Sequence, residues 1–217
     1  MADGSGDGPL AVLQRIRRPA PLPRPGERCE MCVTEIGDDH PHVVNLDQRT
    51  LLCACRACYL LFSHQGAAGG RYRAVPDRYV SISGFALDPG QWEALQLPVS
   101  VAFFFHNSDL DQMAAFYPSP AGATESLLPL GAWEDIAAAH PSLTGLEPDV
   151  EAALVRVQRG ESECFVVPID ACYELVGHLR RLWRGFDGGR EAHEQIEAFF
   201  ARIRARSRPS LPGASHG

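Results

Sequence analysis

Lysine is absent from the 217-residue chain, so all 20 of its positively charged side chains are arginine. That absence excludes P-loop nucleotide hydrolysis with its Walker lysine, and with it pyridoxal phosphate and lysine Schiff-base chemistry. Long apolar runs are missing as well. Even residues 99–105 are only strand-sized, whereas a bilayer-spanning helix needs about 20 apolar residues. Residues 1–8 are acidic and glycine-rich, without the charged start, apolar run and cleavage site of a secretory signal. Positive charge is in deficit overall, and a net charge of −7 disfavours non-specific attachment to nucleic acid or anionic lipid. The expected location is the cytoplasm, where thiols stay reduced and clustered cysteines favour a metal over disulfides. Seven cysteines is also an odd count for pairing.

Those cysteines are concentrated in one place. Cys29 and Cys32 form a C-x2-C pair, and after twenty residues Cys53, Cys55 and Cys58 follow as C-x-C-x2-C. This is metal-ligand spacing. Two C-x2-C pairs, Cys29 with Cys32 and Cys55 with Cys58, supply the four ligands that a structural zinc site takes, with Cys53 as an alternative ligand. Such a site has no open coordination position, so its expected role is to fold the module and not to catalyse. Zinc is the expected ion; iron, in a rubredoxin-like four-thiolate site carrying one electron, is the alternative.

The order of local patterns around the cysteines is a knuckle, a hairpin and a helix. Residues 43–46 and 50–53 read as strands joined by a turn at Asp47, Gln48 and Arg49. A helix starting near Cys55 would place Cys55 and Cys58 on one face and carry Leu60, Leu61 and Phe62 inward, with its first-turn thiolates at the positive end of the helix dipole. The expectation is a treble-clef or zinc-ribbon-like module over residues 27–64. Before it, Leu10, Leu13 and Ile16 have helical spacing, and alternating prolines from Pro19 to Pro25 read as an extended tether. Residues 1–26 and 207–217 are expected to be disordered tails.

The glycine- and alanine-rich residues 65–70 read as a linker to a mixed α+β domain over residues 71–206. In that domain, strands are expected at 79–83, 99–105, 114–117, 151–157 and 164–167, with Arg159 and Gly160 turning between the last two. Helices are expected at 91–95 after Asp88 and Pro89, at 132–139 before Pro141, from a cap at Asp170 to about Trp183, and at 190–206. Trp183, Phe186, Phe199 and Phe200 read as core, and Arg202, Arg204, Arg206 and Arg208 as a solvated helix end able to dock an acidic partner. Residues 118–126 read as a structured connecting loop whose backbone donors suit an anion or a partner.

Catalytic constellations are weak. Cys164 and Cys172 flank V-V-P-I-D with His178 six residues on, a spacing in which two buried structural thiols are the simpler reading. His40 and His42 lie between the cysteine pairs, an arrangement comparable with HNH-type nucleases. However, Tyr59 follows Cys58 where that family has His or Asn, so both read as solvated or structurally bonded loop histidines, with nucleic-acid binding as a further alternative. No catalytic residue is assigned.

The motifs C-E-M-C, H-P-H, L-C-A-C-R-A-C-Y-L-L-F, F-Y-P-S-P-A-G-A-T-E-S and V-P-I-D-A-C-Y-E-L-V-G span roughly residues 27–205. Together they resemble an uncharacterised, mostly actinobacterial family encoded beside nickel-iron hydrogenase genes. The resemblance implies a cytoplasmic accessory protein for assembly, maturation or electron supply of a hydrogenase. The implied partner is a hydrogenase subunit or maturation factor, not a membrane or a nucleic acid.

Overall fold

The computed structural model describes residues 28–64, 66–126, 131–184 and 188–210. The helical spacing of Leu10, Leu13 and Ile16, the proline tether, Phe186 and residues 211–217 lie outside them. The architecture is mixed α+β, and its centre is a strand that is apolar at consecutive positions. In β5 (Val101–Asn107) the residues Val101, Ala102, Phe103 and Phe104 are all buried, the signature of a strand covered on both faces. Phe103 packs with Leu154, Phe165, Leu175 and Phe200, while Phe104 points the other way and stacks on Trp133 with ring centroids 3.9 Å apart.

Around β5 the strands β4 (Val80–Ser81), β6 (Gln112–Ser119), β7 (Gly122–Ser126), β8 (Glu151–Gln158), β9 (Glu161–Pro168) and β10 (Arg208–Pro209) form a sheet of order β10-β4-β9-β8-β5-β6-β7. Every pairing is antiparallel except β10 with β4. The β8-β9 hairpin turns where the sequence places Arg159 and Gly160, with φ of 53° and 84°, the doubly left-handed geometry that suits right-twisted strands. Helices α4 (Ile169–Leu182) and α5 (Gly189–Arg206) cover one face, and α3 (Gly131–Ala139) covers the other. The remaining helix of this part, α2 (Pro89–Ala94), starts with a capping box between Asp88 and Gln91.

A second, three-stranded antiparallel sheet has the order β2-β1-β3, from β1 (His42–Asn45), β2 (Thr50–Cys53) and β3 (Tyr72–Ala74). Between them lies the short helix α1 (Arg56–Leu61). Strand β3 falls beyond the expected linker at 65–70, so the small sheet draws on chain that the sequence reading assigned to the larger domain. Alternation along β1 divides its contacts. Val43 joins a small cluster with Cys29, Ala54 and Cys58, whereas Val44 joins the main core under α4. The two sheets are therefore packed together and not tethered side by side.

Several local expectations are corrected. Residues 118–126 are not a loop: Ser119 pairs with Gly122 across a two-residue turn, continuing β6 into β7. The Ser119 hydroxyl lies 2.7 Å from the Thr124 hydroxyl and accepts the Ala121 N–H at 3.1 Å, which satisfies the turn internally. Residues 207–210 are not a free tail, because Arg208 and Ser210 donate backbone N–H groups to Tyr79 and Ser81. Pro209, which has no donor, is tolerated there because β10 is an edge strand. The arginines at the end of α5 are engaged within the chain: Arg202 with Glu174, Arg204 with Glu163 and Arg206 with Asp77.

Candidate metal centre

The C-x2-C knuckle is closed by two backbone hydrogen bonds, Val33 N–H to Cys29 carbonyl and Cys29 N–H to Thr34 carbonyl, both at 2.8 Å. Making that turn puts Val33 at φ 64°, the left-handed region in which a β-branched residue is strained and glycine is not. Val33 is 60% exposed, so little burial offsets the strain. Val33→Gly is expected to stabilise the metal-bound module by about 1 kcal/mol, read as tighter retention of added zinc(II) against a competing chelator.

The second pair is delivered by β2 and α1. The strand ends at Cys53, Ala54 is buried, and Cys55 becomes the N-cap of α1, with its sulfur accepting the Cys58 N–H at 3.5 Å. One turn of helix then brings Cys58 beneath Cys55. The sulfurs of Cys29, Cys32, Cys55 and Cys58 all lie within 4.8 Å of one another, and those of Cys32 and Cys55 are 3.6 Å apart. Cys53 is not among them. Pairing across β1 and β2 sets Cys53 opposite His42, and its sulfur groups with the rings of His40 and His42.

The thiols of the cluster are unequal in the metal-free chain. Cys32 is exposed, and its thiol is held at about 6, first by the Thr34 hydroxyl and backbone and then by the thiols of Cys29 and Cys58. Desolvation, followed by the neighbouring thiols of Cys32, Cys55 and Cys29, pushes Cys58 up to about 12. Burial acts upward on Cys29 too, but the backbone N–H groups of Cys55, Met31 and Cys32 together outweigh it and lower this thiol. Zinc takes thiolates, so Cys58 must lose its proton on binding. Proton release is expected at neutral pH, with apparent zinc affinity rising as pH increases above about 6. Calorimetry in buffers of different ionisation enthalpy measures it.

Helix α1 does not carry its leucines inward. Leu60 and Leu61 are 49% and 66% exposed, while Phe62 packs on the module cluster and lies 5.1 Å from the Tyr72 ring. The α1 turn that aims Cys58 at the cluster keeps Tyr59 against it and rotates positions 60 and 61 to solvent. His42 is structurally bonded, in strand β1 and not in a loop: its Nδ1 lies 2.8 Å from Asp170 Oδ2. Asp170 is not the N-cap that its sequence position suggests: the cap is Pro168, two residues earlier, and the carboxylate crosses to the small sheet.

Cys164 and Cys172 are fully buried, and desolvation raises both thiols far into the protonated range. His178 faces Glu174 and Gln195. These two thiols are core side chains and not nucleophiles. One feature had no sequence signal: a cavity of about 570 Å³ where the β1-β2 hairpin meets β5, β6 and α4, lined by Leu46, Leu51, Phe105, Phe116 and Tyr173 among others. It arises from packing between the two sheets. Among the described residues no helix is long and apolar enough to cross a membrane.

No curated protein and no solved structure matches this chain. A family does: the chain belongs to the family of unknown function DUF5947, which it matches over residues 28–207, from just before the first knuckle to the end of α5.

Proposed function

We propose that this chain is a non-catalytic accessory protein built on a structural zinc site in a treble-clef or ribbon-like module, which supports nickel-iron hydrogenase assembly or maturation through a protein partner. The observation that carries the reading is the convergence of four thiols from a knuckle and a helix N-terminus. A closed four-thiolate shell binds zinc tightly and leaves no position for substrate. The exposed leucines of α1, Leu60 and Leu61, supply apolar surface on the same module. The hydrogenase link rests on the resemblance of the sequence motifs.

Two measurements test it. Protein purified anaerobically from zinc- and iron-supplemented media is expected to be colourless and zinc-loaded, with the metal of this cluster lost in Cys55→Ser. Tagged protein recovered from its native host is expected to bring down a hydrogenase subunit or maturation factor; recovery without either sinks that part. A second reading, a rubredoxin-like iron electron carrier, is favoured by the exposure of Cys32 at the edge of the cluster. Bound iron with a reversible thiolate charge-transfer band would replace the zinc reading with that one.

A further inference from the structure

We propose that His40, His42 and Cys53 form a second metal site, separate from the four-thiol cluster, which takes one zinc(II) ion and leaves its fourth coordination position open. One ring nitrogen of each histidine and the Cys53 sulfur lie within 4.8 Å of one another, so small side-chain rotations bring all three to bonding distance of a common ion.

Hydrogen bonding decides which nitrogens face the ion. His40 Nδ1 lies 2.7 Å from the Gly37 carbonyl oxygen, and His42 Nδ1 lies 2.8 Å from the Asp170 carboxylate. Both partners are acceptors only, so both histidines carry their proton on Nδ1. That leaves a lone pair on each Nε2, the tautomer a metal requires. His40 Nε2 is buried and has no hydrogen-bond partner among the described residues. Burying an acceptor without a donor is unfavourable, and a cation removes that penalty. Carbonyl and carboxylate partners behind ligating imidazoles are the recurring outer shell of zinc sites, where they fix ring orientation and raise basicity.

The fold explains why these three residues meet. His40 and His42 are separated by Pro41, and their ring centroids are 4.9 Å apart. Antiparallel register sets Cys53 directly across from His42. The Glu30 carboxylate accepts the Cys53 backbone N–H at 2.6 Å, so the loop bearing the first knuckle also supports the strand bearing the third ligand. Asp170 comes from α4 of the larger domain, 128 residues away, which makes the site a clasp between the two sheets. Two imidazoles and a thiolate are a borderline-soft donor set suited to zinc, and three protein ligands are the number found where water or substrate takes the fourth place. All three residues are half-buried, so solvent can reach that position.

The inference is independent of the four-thiol reading, and the test separates them. Full-length chain, stripped of metal under reducing conditions, is titrated with zinc(II) alone and analysed for bound metal. The expected result is two equivalents for the wild type and one for His40→Ala and Cys53→Ser. Cys58→Ser removes the other equivalent. Asp170→Asn is expected to weaken the second equivalent by roughly 10- to 100-fold without abolishing it. X-ray absorption distinguishes true loss of this site from misfolding. The two-zinc protein should show nitrogen ligands at about 2.0–2.1 Å beside sulfur at about 2.3 Å, and His40→Ala should retain a sulfur-only shell. Saturation of the wild type at one equivalent, or a second equivalent with unchanged affinity in His40→Ala, overturns the proposal.

Discussion

Cys58→Ser is expected to release the metal of the four-thiol cluster and to melt the knuckle at residues 28–36 and α1 while leaving the large sheet folded. The reason is how little else holds this part together. Its buried apolar cluster consists of Cys29, Val43, Ala54 and Cys58, so two of the four members are themselves thiols of the cluster. Structural zinc contributes on the order of 10–16 kcal/mol of apparent binding free energy in such modules, far more than that burial can supply. Strand β1 should survive in part, since Val44 is anchored in the main core and His42 to Asp170. Hydrogen exchange followed by mass analysis reads the outcome as lost protection at both cysteine segments and retained protection at β5, β8 and β9. Unchanged exchange in the knuckle after chelation would mean that the metal is not its core.

Arg78→Ala is expected to destabilise the whole fold by about 3 kcal/mol, at the low end of what breaking a buried ion pair costs. Glu151 opens the central strand β8 and its side chain is fully buried. Arg78 reaches it side-on with Nε and Nη2, the Nε to Oε1 contact at 2.5 Å, and Nη2 also donates to the Gly145 carbonyl. Without Arg78 the carboxylate keeps, among the described residues, only the Glu147 N–H at 2.9 Å and stands as an uncompensated buried charge. Arg78 itself is about half exposed, so water entering the vacated space moderates the loss. For a folded unit of this size the melting temperature should fall by roughly 6–12 °C. The double variant Arg78→Met with Glu151→Leu should recover much of the loss, because removing both charges removes the desolvation problem as well. A single Arg78→Ala variant with wild-type stability would show that the pair carries no such weight.

How much of this was legible in the sequence depends on the range of the interaction. Arg159 with Gly160 announced its hairpin through local backbone preference, and Asp88 with Pro89 announced α2. The alternation that separates Val43 from Val44 was readable as a strand, but not the fact that its two faces serve different cores. Residues 118–126 misled because proline, glycine and hydroxyl residues favour turns; pairing with β6 overrode that preference, and the turn itself occupies only two positions. The inward placement expected for Leu60 and Leu61 failed for a related reason. A six-residue helix has a single buried stripe, and the cluster takes it at Cys58.

The sequence by itself determined the shape of each C-x2-C pair, because three-residue spacing closes a knuckle in one case and a helical turn in the other. It also determined, through the complete absence of lysine, which covalent chemistries are closed to this protein. Tertiary structure alone decided the role of Cys53. Read along the chain, it was an alternative thiol for the same cluster as Cys55; the β1-β2 register turned it to His42 and away from that cluster. Tertiary structure likewise decided that Asp170 would hold His42 and not cap its own helix. Strand register and helix docking depend on packing between residues far apart in the chain, and neither leaves a mark in the local spacing of either partner.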